Sequence, residues 1–175
     1  MTRIPNIFVT VGTQLPFDRL IRTVAGWHSR NPDIGVSYIV GDTKLKAKDF
    51  GRGETHTRLT SKPYDQHFSA ADLIVSHAGM GTIITAAEAG KPIIIMPRRA
   101  DLGEHRNDHQ LATAEKMTRL QNVQRVDTHD ELVKALDQFI LTWSDNDTAK
   151  SSLSADATPE LLTAVRNFIF EGRSG

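Results

Sequence analysis

Short β-branched apolar runs alternate with longer segments of helical spacing along most of this chain. Asn6–Val11 is the first such run and predicts a strand. Phe17, Leu20, Ile21, Val24 and Ala25 then recur at helical intervals, so a helix is expected from Phe17 to about His28. Val36–Val40 predicts a second strand and Thr55–Thr60 a third, separated by a polar, lysine-rich loop over Gly41–Gly53. A short helix is expected near Asp65–Ala70. Leu73–Val75 and Ile93–Met96 read as strands, with a helix between them over Thr82–Ala89 that Gly90 closes. Asn107–Leu120 has helical spacing and Asn122–Val126 reads as a strand. Leu132, Ala135, Leu136, Phe139 and Ile140 mark one more helix, for which Thr128 and Glu131 have capping-box spacing. Regular alternation of strand and helix predicts an α/β fold, a Rossmann-like three-layer sandwich with about six parallel strands.

The pattern changes near the end. Residues 144–158 are rich in Ser, Asp and Ala and read as a linker between a domain at 1–143 and a terminal segment at 159–175. Glu160–Phe170 has Leu161, Leu162, Val165, Phe168 and Ile169 on one broad side, and a helix that apolar is expected to dock on its own domain or on another chain. A length of 175 residues suits one full domain with a real core. Twenty-one basic and twenty-one acidic residues balance, so a large basic surface for nucleic acid is not expected. The absence of cysteine excludes disulfides and thiolate metal sites. No run has the length of a membrane span and no signal-peptide core is present, so a soluble, cytoplasmic protein is expected.

Candidate chemistry lies where predicted strands end. Gly12-Thr13-Gln14 follows the first strand, where glycine permits either a tight turn or backbone N–H groups aimed at an anion. Ser76-His77-Ala78-Gly79-Met80-Gly81-Thr82 follows the fourth. Its two glycines allow close ligand approach, and the next helix would direct free N–H groups and its positive end at a phosphate. His77 could donate to that phosphate or cap the turn. The third stretch runs from Pro97 to Gln110 and holds Arg98, Arg99, Arg106, His105, His109 and three carboxylates, a density that suits a polyhydroxylated ligand with charged oxygens. A solvated role fits Arg99 and Asp101 better. His105 and His109 lack the H-E-x-x-H pattern, so no metal site is expected there. Neither a G-x-S-x-G elbow nor a dinucleotide fingerprint is present.

V-T-V-G-T-Q at 9–14, A-D-L-I-V-S-H-A-G-M-G-T at 71–82, G-K-P-I-I-I-M-P-R at 90–98 and G-E-H-R-N-D-H-Q at 103–110, in this order, resemble the C-terminal, donor-binding domain of glycosyltransferase family 28. Within that family the chain is similar to stand-alone half-enzymes, both the eukaryotic kind that extends dolichol-linked N-acetylglucosamine and bacterial exopolysaccharide subunits. The resemblance covers about residues 5–140 and implies the C-terminal half of a GT-B fold. It implies a UDP-sugar donor, an inverting transfer to a lipid-linked acceptor, no cofactor and no required metal. It also implies a membrane-associated partner that supplies the acceptor half and holds the chain at the membrane. Gly12, Thr13, Ser76, His77, Ala78, Gly79, Met80, Gly81, Thr82 and Arg98 would then hold nucleotide and phosphates, and His109 and Gln110 would read sugar hydroxyls. Glu104, His105 or the partner would supply a general base. Many relatives carry a ribose-binding glutamate five residues before the glycine of G-K-P. Here that position is Thr85, and Glu88 sits on a neighbouring helix face. The arginines at 98, 99 and 106 would suit a uronate carboxylate, although phosphate or solvent explains them equally. A non-catalytic nucleotide-sugar-binding subunit is the rival reading.

Overall fold

The computed structural model describes residues 3–13 and 15–143. Its strands are β1 (Asn6–Thr10), β2 (Gly35–Ile39), β3 (Glu54–His56), β4 (Leu73–His77), β5 (Ile93–Met96) and β6 (Val123–Arg125). They form one sheet in the order β3-β2-β1-β4-β5-β6, with every pairing parallel. The helices between and after them are α1 (Asp18–Arg30), α2 (Ser61–Ala70), α3 (Met80–Glu88), α4 (His109–Met117) and α5 (His129–Thr142). The strand order reverses between β1 and β4. At such a switch point adjacent loops leave in opposite directions and open a crevice.

The apolar runs are near-continuous because the central strands are covered on both faces. Ile7 and Val9 of β1, Val75 of β4 and Ile94 of β5 point into one core, which α1 closes with Leu20 and Val24 and α5 with Leu132 and Leu136. Phe8, Ile74, Ile93 and Ile95 point into the other, closed by Phe68 of α2, Ile83 of α3 and Ala114 of α4. Each fully buried aliphatic side chain contributes about 1.5–3 kcal/mol of transfer free energy. Trp27 is 1% exposed and its indole N–H donates to Asp137 at 2.7 Å, which fixes α1 against α5. The three-layer α/β sandwich expected from the alternation is the architecture found.

Several element limits differ from expectation, among them those of α4, which covers His109–Met117 within the expected Asn107–Leu120. The third strand covers only Glu54–His56, at the sheet edge, and Thr57–Thr60 forms a loop. The segment read as loop over Gly41–Gly53 holds a 3-10 turn at Ala47–Phe50, with Phe50 buried against Tyr38 at a ring distance of 5.2 Å. Helix α2 begins four residues earlier than expected, at Ser61, and α3 two residues earlier, at Met80. Thr128 does cap α5, accepting from Glu131 N at 3.2 Å, while Glu131 accepts from Asp127 N rather than from the cap residue itself. The expected linker and terminal helix lie outside the described residues.

Candidate functional site

A cleft of about 720 Å³ opens at the C-terminal ends of β1 and β4, on the switch point. Gly12 and Thr13 form one side, and the segment from His77 to Thr82 the floor. His105, His109 and Gln110 form the far side. The structure therefore brings together three loops that are distant in sequence. Among the described residues, none that lines the cleft is a carboxylate. The lining offers no acidic ligands for a divalent cation.

The early start of α3 shapes the floor. Met80, Gly81 and Thr82 are its first turn, and Gly79, at the N-cap, gives no side-chain cap. Ile83 N already donates to Gly79 O at 3.2 Å, whereas the N–H groups before it have no carbonyl within the helix to bond. These N–H groups and the helix dipole face the cleft. Gly81 has open space around the position of a Cβ, so packing does not require glycine there. Gly12 and Gly79 are different. A Cβ on Gly12 would sit 2.7 Å from His77 Cε1, and one on Gly79 would overlap His77 Nε2. Gly12 also has φ of +75°, which favours glycine.

The His77 ring is thus held between two glycines. Its pKa falls to about 4, mainly through burial, then through the positive charge of Arg98 and that of His105, against a hydrogen bond to the Thr10 carbonyl that opposes the shift. At neutral pH the imidazole is uncharged and acts as a hydrogen-bonding spacer under the loop. Ser76, expected as a phosphate donor, is fully buried in β4 and does not line the cleft; its Oγ lies 3.3 Å from His77 Nδ1.

Arg98, expected among the phosphate-binding residues, lines the cleft. Its guanidinium borders the cleft but is committed to backbone carbonyls: Nη1 donates to Pro16 O at 2.6 Å and Glu104 O at 3.3 Å, and Nη2 to Leu15 O at 2.6 Å and Val11 O at 2.8 Å. It also lies 4.7 Å over the Phe17 ring and is 2% exposed. Burial lowers its pKa to about 10, partly offset by Glu104. The four hydrogen bonds make Arg98 the staple of the β1–α1 loop.

Glu104, a candidate base, is also occupied. Its carboxylate takes Arg19 Nε at 2.7 Å, Arg19 Nη2 at 2.8 Å and Arg99 N at 3.0 Å, and it does not line the cleft. Arg19 donates as well to Pro97 O and Asp127 O, both at 2.9 Å. Sequence reasoning missed Arg19, since nothing local marks its partners 78 to 108 residues away. Arg99 pairs with Asp101 at 2.6 Å and, like Arg106, stays off the cleft, so neither answers a uronate carboxylate there.

His105 and His109 do reach the cleft. Their rings meet edge to face at 4.5 Å, and His109 Nδ1 is hydrogen-bonded to Asn107 Oδ1. Gln110 is 5% exposed, and its Oε1 accepts from Arg98 N at 3.1 Å. Thr85 lines the cleft, donating its hydroxyl to Gly81 O at 2.9 Å, whereas Glu88 does not. Arg58, Leu59 and Tyr64 form a wall that the sequence reading lacked. Burial raises the pKa of the Tyr64 hydroxyl, and the neighbouring Thr82 and Thr10 oppose that shift. Reading Thr55–Thr60 as strand hid this wall, because loops after strand ends are where ligand groups are sought.

A parallel sheet in this order, with a glycine-floored cleft at its switch point, defines a Rossmann-like domain of the kind that makes up half of a GT-B protein. The chain belongs to the glycosyltransferase family 28 C-terminal domain, whose family model matches residues 6–162. The chain is 27% identical over 128 residues to a UDP-N-acetylglucosamine transferase subunit, ALG13, of Yarrowia lipolytica. That match covers 65% of this chain and 60% of the relative. Among solved structures, a glycotransferase of kitacinnamycin superposes with a TM-score of 0.66 at 23% identity, covering 97% of this chain and 42% of the other. The MurG protein of Acinetobacter baumannii superposes with a TM-score of 0.63 at 16% identity, covering 97% of this chain and 50% of the other. The chain thus spans half or less of these solved chains, and they share its fold.

Proposed function

We propose that this chain is the donor-binding subunit of an inverting, UDP-sugar-dependent glycosyltransferase acting on a lipid-linked acceptor in glycan or polysaccharide biosynthesis. The observation that carries this reading is the carboxylate-free cleft floored by the uncapped start of α3, within a family 28 domain. The N–H groups of Met80, Gly81 and Thr82 receive the diphosphate. As the bond from the anomeric carbon to the β-phosphate oxygen breaks, its electron pair stays on the leaving UDP. Fixed N–H donors stabilise that growing charge more in the transition state than in the ground state. The acceptor hydroxyl oxygen attacks from the opposite face, and its proton passes to a base. With Glu104 tied to Arg19, that base is His105, His109 or a group of the partner. His109 and the free amide end of Gln110 are placed to meet sugar hydroxyls. In this reading a membrane-associated partner supplies the acceptor site; no helix among the described residues is long and apolar enough to cross a membrane.

Calorimetry with UDP, UDP-N-acetylglucosamine, UDP-glucuronate, UDP-galactose and UDP-glucose tests the donor class. Binding of UDP that Gly81→Asp abolishes without loss of folding is expected; equal binding by that variant rejects the site. Thr85 lines the cleft at the position where the family resemblance implies a ribose-binding glutamate, which favours one alternative, a subunit that binds nucleotide sugar without catalysis. Transfer by the co-expressed pair, lost in His109→Ala or His105→Ala, separates the two.

A further inference from the structure

Outside the cleft, Glu54, His56 and His67 bring one ligand atom each to within 4.8 Å of the others. Glu54 and His56 are two apart on β3, which puts both side chains on one face of the strand. His67 reaches them from α2. Its Nε2 is 3.9 Å from Glu54 Oε1, while that of His56 is 2.9 Å from the same oxygen. The His56 and His67 rings are 5.1 Å apart. The His67 ring lies nearly parallel to Phe8, at 5.9 Å and 11°, so its plane is set by the core beneath. In a tetrahedral zinc site with bonds of about 2.0–2.1 Å, ligand atoms stand roughly 3.4 Å apart. The observed spacing brackets that value, and small side-chain rotations would meet it.

We propose that Glu54, His56 and His67 form a site for a divalent transition metal of the zinc type, which clips β3 to α2. Two imidazoles and one carboxylate suit zinc and its neighbours better than magnesium or calcium, which prefer all-oxygen ligands. The half-exposed position leaves room for water as a fourth ligand. The site has a mechanical consequence for the cleft. β3 is a three-residue edge strand with β2 as its one partner strand. The loop between the two histidines carries Arg58 and Leu59, and Tyr64 sits one helical turn before His67. A metal joining β3 to α2 therefore fixes the whole wall formed by Arg58, Leu59 and Tyr64. This holds whatever the cleft binds. Sequence spacing gave no hint, because eleven positions and a change of element separate His67 from His56.

The test uses the full chain after chelator treatment, titrated with zinc chloride in a calorimeter. One zinc per chain is expected. Glu54→Gln, His56→Gln and His67→Gln should each weaken it about tenfold or more, whereas the double change His105→Ala with His109→Ala should keep it. Hydrogen exchange over residues 57–67 should slow on adding zinc in the wild type and not in His56→Gln. Absence of zinc uptake, uptake that survives all three glutamine variants, or exchange over 57–67 that zinc leaves unchanged would each overturn the proposal. Glu54 is well exposed, so its variant keeps the comparison valid if a histidine change disturbs folding.

Discussion

At the scale of single residues, two basic side chains, Arg98 and His77, settle how the cleft is made. Arg98 places four N–H bonds on four carbonyls, a fork that an ammonium cannot reproduce. Arg98→Lys is expected to lower stability by about 2–4 kcal/mol, read as a shift in the urea midpoint, with weaker nucleotide binding as a consequence. Unchanged stability with lost UDP affinity would instead make Arg98 a direct ligand. His77 has its folded pKa depressed to about 4 from 6.5. The unfolded chain then binds the extra proton first, so stability is complete above pH 6.5 and falls as pH drops from there toward 4. Over that window the loss is on the order of 3 kcal/mol. His28, also lowered by burial, acts in the same direction. His77→Gln should flatten this acid limb in pH-dependent thermal melts; an unaltered limb would refute the assignment. The sequence marked both residues as near a ligand, yet only coordinates reveal their partners. Arg98 bonds carbonyls 82 to 87 residues earlier, and no local pattern encodes that distance.

At the scale of elements, the start of α3 is the decisive piece. Gly81 lies inside that helix with nothing near its Cβ position and no positive φ. Gly81→Ala should therefore raise stability by up to about 1 kcal/mol, while the new methyl group, facing the cleft, weakens UDP binding. A variant that is stabilised and still binds fully would show that the glycine serves no ligand. The same comparison explains what was legible. Central strands buried on both faces leave long apolar runs, so β1, β2, β4 and β5 were found within a residue or two. An edge strand is held by one neighbour, and T-H-T-R-L-T continues to alternate after pairing stops, so the pattern predicts a longer β3 than the sheet holds. A-G-M-G-T suggests a loop and so predicts a later start for α3, although Gly79 is the extended N-cap and Gly81 is already inside the helix.

At the scale of the molecule, the cleft has walls on the side of this domain, and this chain covers 42% and 50% of two solved chains that share its fold. The purified chain is expected to bind UDP and to transfer sugar only when its partner is added. A chain ending at residue 143 should keep nucleotide binding and lose capture of the partner; undiminished capture would place the contact on the described domain instead. With formal charge balanced over the chain, attraction for a nucleotide is local to the cleft. The absence of carboxylates from its lining then bears on turnover. In the proposed reaction, the diphosphate of UDP carries more negative charge after the sugar has left than it did in the donor, and no acidic side chain among the described residues lining the cleft repels it. The spent nucleotide should be held more tightly than the incoming one, so its escape would limit the cycle. Competition calorimetry should give a lower Kd for UDP than for any UDP-sugar, and inhibition by UDP that a nucleotidase relieves; a UDP-sugar that binds more tightly than UDP would contradict this.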